Sequence, residues 1–378
     1  MTPIHVRALL WPLALAVVAV LIFDLRIGRG MVDFGVYRVA AGRALASEPL
    51  YREEDGHYKF KYLPAFAIAM SPFAGFEPQT GKALWFAMSV GLLAAFVRWS
   101  VFALPGRRRS ERALMVLAVV LMAKFYGHEL TLGQSNILLG TVLVAALLAV
   151  EAGQSLVAGA LFGLAVFVKP YAIILLPWVA FSCSLGAALV SGGVVLAGLL
   201  LPVATYGWTG NLDLLSAWYR TVTDSTASTL VGGDSISVAA MWGKWLGAGV
   251  PATILATVSG LGLLGLAVAV WFRRRAVAVP DYLEVALLML LIPLLSPQGW
   301  DYVLLLATPA VVCLVDRWSE LGPAWRVLVA ASLAAMGLTL YDVMGRSLYV
   351  SFMALSFVSV CAILLAVSLA HVRWKALA

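Results

Sequence analysis

The chain has 378 residues, of which 62% are hydrophobic and only 12% carry a charged side chain. Soluble domains contain about 45–50% apolar and about 25% charged residues, so a surface exposed mainly to water is excluded, as are a disordered chain and a nucleic-acid module. The composition predicts an all-α polytopic membrane protein. The net charge of +7 then indicates cytoplasmic anchors, anionic lipid or an anionic substrate.

The cysteines and histidines give no sign of a metal or disulfide. Cys183, Cys313 and Cys361 lie far apart inside apolar runs, and the four histidines show no metal-ligand spacing. We therefore expect no metal site, no disulfide and no cofactor.

Long apolar runs predict the membrane spans, because about 20 helical residues cross a bilayer core. The first run, Ala8 to about Ile27, is interpreted as a retained anchor, since no small-x-small cleavage site precedes the polar stretch after it. The stretch 155–183 is broken by Lys169-Pro170, which favours two short helices. About twelve spans (10–13) are expected in one integral membrane domain covering 1–378. The other runs are about 83–104, 112–127, 133–150, 185–205, 250–271, 281–295, 300–315, 325–342 and 347–370.

Basic clusters in short loops set the sidedness, since such loops face the cytoplasm. Fixing these clusters inside gives two cytoplasmic termini and places two long polar loops outside, 28–80 and 206–237. The clusters are Arg107-Arg108-Arg109 with Arg112, Arg273-Arg274-Arg275, Arg317 with Arg326, and Arg373 with Lys375.

The first outer loop predicts interfacial structure. Residues 33–46 can form an amphipathic helix, and Leu63–Phe76 is short and holds two prolines, which suits a re-entrant or interface helix. Asp33, near the helix start, is either an N-cap or a general base. Lys59 and Lys61, with Tyr62, form a basic and aromatic edge that either anchors the interface or binds a phosphate.

Three short polar breaks between spans fall on the same outer side: His128–Asn136, Lys169-Pro170 and Ser296–Tyr302. Gly133–Asn136 opens a span whose backbone N–H groups suit an anion or sugar hydroxyls, unless Ser135 caps the helix. Lys169 must pair, snorkel or face a cavity with an anionic group. In the third break, Ser296–Tyr302, Trp300 and Tyr302 suit an aromatic belt but flank a costly carboxylate. The acidic and basic residues of the second outer loop, Asp234 among them, are expected to be solvated.

These motifs, taken in order, resemble glycosyltransferase family 87, whose members are polytopic enzymes of the GT-C fold. The resemblance spans most of the chain. It rests on Asp33-Phe34-x-x-Tyr37, Glu48-Pro49-Leu50-Tyr51, Tyr62-x-Pro64 with Ser71-Pro72, Gly133-Gln134-x-Asn136, Lys169-Pro170 and Ser296-Pro297-x-x-Trp300-Asp301.

The resemblance implies a hexosyltransferase that uses a polyprenyl-phosphate-sugar donor, most often mannose, and a glycolipid or glycan acceptor at the outer face of a bacterial inner membrane. It implies that Asp33 is the catalytic base and that Lys169 and Trp300 surround the donor. Family members often carry His where this chain has Tyr302. The further substrate-binding candidates are Gln134, Asn136, Asp301, Tyr302, Lys59, Lys61, Tyr62 and Arg38.

Two other classes remain open. A transporter or flippase of lipid-linked sugars would line its pathway with similar residues, although we find no internal repeat and the polar groups gather on one face. A non-catalytic assembly subunit is the third interpretation, because Tyr302 cannot carry the charge of a His.

Overall fold

The computed structural model describes residues 17–375, which are helical apart from their connections and one isolated β-bridge. The predicted all-α membrane class is thereby confirmed. The α-helices are, in chain order, α1 (Val32–Leu45), α2 (Pro64–Ala69), α3 (Ser71–Ala74), α4 (Pro78–Phe102), α5 (Glu111–Leu132), α6 (Asn136–Glu151), α7 (Ser155–Val168), α8 (Leu176–Ser182), α9 (Leu185–Leu200), α10 (Val203–Thr229), α11 (Val238–Leu246), α12 (Val250–Phe272), α13 (Asp281–Leu295), α14 (Thr308–Asp316), α15 (Pro323–Leu338), α16 (Tyr341–Ala354) and α17 (Phe357–Lys375). A π-helical turn forms at Phe23–Ile27, and 3₁₀ segments form at Glu53–Tyr58, Pro170–Leu175, Arg274–Ala276, Asp301–Ala307 and Trp318–Glu320.

Four helices of the described chain are long and apolar enough to cross a membrane: α4, α5, α12 and α17. The bent pairs α9 with α10 (87°) and α15 with α16 (103°) raise this number to six if each pair crosses as one unit. The predicted number of about twelve is not confirmed, because several apolar runs form helices too short to cross alone. Most of the predicted first span, Ala8–Ile27, lies outside the described residues.

Both polar segments that were predicted to lie outside contain helices. Helix α1 matches the predicted helix 33–46 within a residue, and 63–76 forms the short helices α2 and α3. In the segment 206–237, α10 continues to Thr229 after a turn at Gly207, whose φ is 69°. Polar composition there reflects exposed helical side chains rather than irregular backbone.

The bundle has two chemically different ends. Helix α5 has 22 residues, so it is about 33 Å long, which is close to the thickness of a bilayer core. The Arg107–Arg112 segment lies at its N-terminal end. The other basic clusters join that segment around a hollow of about 320 Å³ bordered by Gly106, Val277, Arg317 and Arg373. All four predicted basic clusters therefore share one end, and residues 133–136 lie at the other.

Helices α7 and α9 pack through small residues. A Cβ added to Gly159 would lie 2.3 Å from the Ala187 carbonyl oxygen, and one added to Gly163 would lie 2.8 Å from that of Ser191. Glycines four residues apart let helix backbones approach closely. This contact positions the C-terminal end of α7, where Lys169 follows.

We predict that Gly159→Ala destabilises the protein by about 1–3 kcal/mol, because a backbone oxygen cannot rotate away from the new methyl group. Thermal or denaturant unfolding in detergent measures the change. Gly192→Ala in α9 is the control, since a Cβ there meets nothing within 4 Å. Equal unfolding midpoints for the two variants would contradict the packing argument.

Candidate active site

A cavity of about 590 Å³ opens at the Gly133 end of the bundle. Helix α1, the first outer loop, the three polar breaks and the end of α10 all contribute to its wall. The predicted site residues that line it are Asp33, Lys59, Lys61, Tyr62, Gln134, Lys169, Trp300 and Tyr302. The structure thus brings together residues that are more than 250 positions apart in sequence.

The side-chain amide of Gln134 joins the walls of this cavity. Its Oε1 accepts hydrogen bonds from the hydroxyls of Tyr37 and Tyr62 and from Lys169 Nζ, each at 3.0 Å. Its Nε2 donates to the Tyr302 hydroxyl at 3.2 Å. An ammonium group only donates, so it must face the amide oxygen, and this fixes the orientation of Gln134.

Lys169 stands where α7 ends. Pro170 disfavours helical backbone at the preceding residue, and Lys169 is extended, with φ −151° and ψ 123°. Its Nζ lies 4.6 Å from the ring centroid of Tyr62, a cation–π arrangement. The buried ammonium therefore has a hydrogen-bond acceptor and an aromatic face, and it still borders the cavity.

Asp33 is the second residue of α1, and its carboxyl group faces the cavity. The N-cap interpretation of Asp33 is wrong, because Met31 occupies that position with φ 56°. Burial raises the pKa of Asp33, while a hydrogen bond from Gln134 and the charges of Lys169 and Lys61 oppose the rise. The carboxyl group thus borders the cavity with the cations Lys169 and Lys61 near it.

Asp301 belongs to a buried ion cluster behind the cavity wall. Its Oδ2 lies 3.0 Å from Lys124 Nζ and its Oδ1 lies 3.2 Å from His128 Nδ1. Lys124 and His128 are one turn apart on α5. The His128 ring also packs edge-on against Tyr302, with centroids 5.1 Å apart, and lines the cavity.

The backbone N–H groups at the start of α6 are not free to bind an anion. Glu129, fully buried in α5, accepts hydrogen bonds from the backbone N–H of Asn136 at 2.5 Å and of Ile137 at 3.1 Å. The expected anion site at this helix end is therefore wrong, because an internal carboxylate fills it. Ser135 occupies the N-cap position, but its side chain makes no capping hydrogen bond.

The third break is held by pairing with the segment after α10. Ser235 and Trp300 form the isolated antiparallel bridge, and the Ile236 N–H donates to the Gly299 carbonyl at 2.7 Å. A Cβ on Gly299 would lie 1.9 Å from the Pro293 carbonyl oxygen. The tight turn at Gly299 sets the position of the Trp300 indole on the cavity wall.

Three predicted substrate-binding residues lie outside the cavity. The Arg38 guanidinium donates to the Phe76 carbonyl at 3.0 Å. Asn136 Nδ2 donates to Glu129 Oε2 at 2.9 Å, and Asp301 faces its cationic partners. Each is engaged with the protein itself, so direct substrate contact is not supported by its position.

Several cavity residues were not predicted to belong to the site, notably His128, Tyr171 and Asp234. Asp234 was expected to be solvated, but Oδ1 accepts a hydrogen bond from the Tyr349 hydroxyl at 2.8 Å. The spacing of Lys124 and His128, four residues apart in an apolar helix, is a signal that could have identified the ion cluster. Within residues 17–375, no group of three or more His, Cys, Asp or Glu side chains is arranged to hold a metal ion.

Comparison with known proteins gives the family. The family model of glycosyltransferase family 87 matches residues 60–297. The match covers more than half of the chain, so the protein belongs to glycosyltransferase family 87, which indicates a membrane glycosyltransferase. The matched range includes Gln134 and Lys169, whereas Asp33 and Trp300 lie outside it. No curated protein and no solved structure matches the chain.

We predict that Glu129→Gln lowers the free energy of unfolding by about 1–3 kcal/mol, because the amide offers fewer acceptors to the buried N–H groups of α6. Denaturant unfolding measures the loss. Glu111→Gln, at the other end of α5, is the matched control, since its ion pairs are long (3.8 Å) and exposed. If both substitutions lower the free energy of unfolding equally, the buried Glu129 carboxylate does not stabilise the start of α6.

Proposed function

We propose that this protein transfers a hexose, with mannose as the first candidate, from a polyprenyl-phosphate-sugar donor to a glycolipid or glycan acceptor. The observation that carries the proposal is one cavity with the Asp33 carboxylate on one wall and the Lys169 ammonium on another. Sugar transfer from a phosphate needs both a base for the acceptor and a cation for the leaving group.

In the proposed reaction, Asp33 takes the proton of the acceptor hydroxyl as that oxygen attacks the anomeric carbon. A positioned base of this kind contributes about 10²–10⁴-fold. Lys169, with Lys59 and Lys61, stabilises the charge that develops on the departing phosphate. Direct displacement inverts the anomeric configuration. Gln134 and Trp300 contact the sugar or phosphate.

The shape of the cavity supports a lipid-linked donor. Val32, Val36 and Tyr58 border both the cavity and a neighbouring hollow of about 380 Å³ along α1. The hollow is largely apolar. Among the described residues that line it, the charged side chains Arg43 and Asp55 form an ion pair and so neutralise each other. Apolar walls beside charged ones suit an amphiphile whose headgroup enters the cavity.

The distribution of charge supports an extracytoplasmic site in a bacterial inner membrane. The four basic clusters lie at the end of the bundle opposite the cavity, and short basic loops face the cytoplasm. In the proposed orientation the cavity opens to the periplasmic side and both termini lie in the cytoplasm.

We predict that Asp33→Asn abolishes sugar transfer while folding and donor binding are kept, because the amide cannot accept the proton. Purified protein in liposomes is given polyprenyl-phosphate-mannose and a membrane-lipid extract as acceptor, and polyprenyl phosphate and mannosylated lipid are measured. Glu54→Gln, an exposed change in the same loop, is the control. Full activity in Asp33→Asn would rule out Asp33 as the catalytic base. Transport of the intact donor without cleavage would identify a transporter.

A second prediction concerns pH. Ionised Asp33 is needed, so kcat/KM falls as the pH decreases through its pKa, which burial places above 3.8. The charge of Lys61 lowers that pKa, so Lys61→Met shifts the acid limb to higher pH. Lys375→Met, at the opposite end, leaves the limb in place. If the acid limb of Lys61→Met lies at the wild-type pH or at a lower pH, the assignment of this limb to Asp33 is contradicted.

A further inference from the structure

We propose that His128 is a further catalytic residue, whose imidazole Nε2 gives a proton to the leaving phosphate. This inference rests on the proposed function and adds a general acid to it. As the first residue of a predicted polar break, His128 had no role in the sequence-based prediction, and its role is inferred from the cavity and the ion cluster.

The imidazole is held in one orientation. His128 Nδ1 lies 3.2 Å from Asp301 Oδ1, and the other carboxylate oxygen pairs with Lys124 Nζ at 3.0 Å. Asp301 is itself fixed, because its backbone N–H donates to the Asp234 carbonyl at 3.0 Å. With Nδ1 facing Asp301, Nε2 is the nitrogen left for a ligand.

The location of His128 fits a phosphate better than an acceptor. Its ring contacts Tyr302, whose hydroxyl accepts a hydrogen bond from Gln134 Nε2, and Gln134 in turn binds Lys169. His128 and Lys169 therefore stand at the two ends of one row along the cavity wall. In the proposed complex the leaving phosphate binds at this wall, which carries both donors.

The charged and titratable groups around His128 come from three elements. Asp301 and Tyr302 face it from the 3₁₀ segment, Asp234 from the segment after α10, and Lys124 from its own helix. With imidazolium present, Asp301 offsets one of the two positive charges of Lys124 and His128. Asp234, which also lines the cavity, offsets the other.

The proposed step balances. The bond between the anomeric carbon and the phosphate oxygen breaks, and its electron pair stays on that oxygen. The acceptor oxygen forms the new bond and its proton passes to Asp33, while the Nε2 proton passes to the phosphate. An imidazolium is a common general acid for proton transfer near neutral pH. After release, Asp33 returns a proton to water and His128 takes one up.

The test measures transfer from polyprenyl-phosphate-mannose across pH for the wild type and His128→Gln. A glutamine amide keeps a hydrogen bond to Asp301, so the fold is retained, which thermal unfolding checks. We expect a bell-shaped wild-type profile and, in His128→Gln, a kcat lowered by about 10²-fold near pH 6 with the alkaline limb lost. Inhibition by polyprenyl phosphate also weakens, and the acceptor KM is unchanged.

His371→Gln is the matched control, because this imidazole stacks on Trp325, in helix α15 and away from the cavity. The inference is overturned if His128→Gln keeps the wild-type kcat and both limbs of the pH profile, or if it changes only the acceptor KM. Either result leaves the proposed function intact. If the variant does not fold, the wild-type profile alone still tests the inference, because a profile without an alkaline limb overturns it. Absence of both binding and cleavage of the donor by the wild type removes the proposed function and this inference together.

Discussion

The hydrogen bond from Lys169 Nζ to Gln134 Oε1 is the interaction on which the cavity depends. An ammonium group within an apolar bundle is costly unless acceptors or aromatic faces surround it, and here a single amide oxygen supplies the acceptor. Because that oxygen is committed, the amide nitrogen must point the other way, toward Tyr302. One buried cation thereby fixes the orientation of the Gln134 amide, and with it the wall that contacts the amide oxygen and the wall that contacts the amide nitrogen.

The local breaks of the fold could be predicted from sequence, and the number of spans could not. Pro170 and Gly133 act on the backbone of their own neighbours, so the ends of α7 and α5 are determined by the local sequence. Hydropathy, in contrast, does not distinguish a helix that faces lipid from one that is surrounded by protein. Helix α13 is buried nearly throughout, and its apolar sequence satisfies both conditions equally well.

The candidate site divides in the same way. The common location of Asp33, Lys169 and Trp300 could be expected once their loops were assigned to one side of the membrane. The internal partners could not be, because Lys124 and Asp301 are separated by 177 positions and meet only through packing. Glu129 is the clearest case, since a carboxylate within an apolar run suggests a ligand site, whereas here it caps the next helix.

The strand-like bridge between Ser235 and Trp300 also bears on how the cavity can open. The segment after α10 is tied to the turn by the N–H of Ile236 and the N–H of Asp301, two main-chain bonds that water could replace only if the segment swung outward. Such a swing would separate the segment from Trp300 and the rest of its turn. Opening this side of the cavity and taking apart its wall at Trp300 are therefore the same backbone motion.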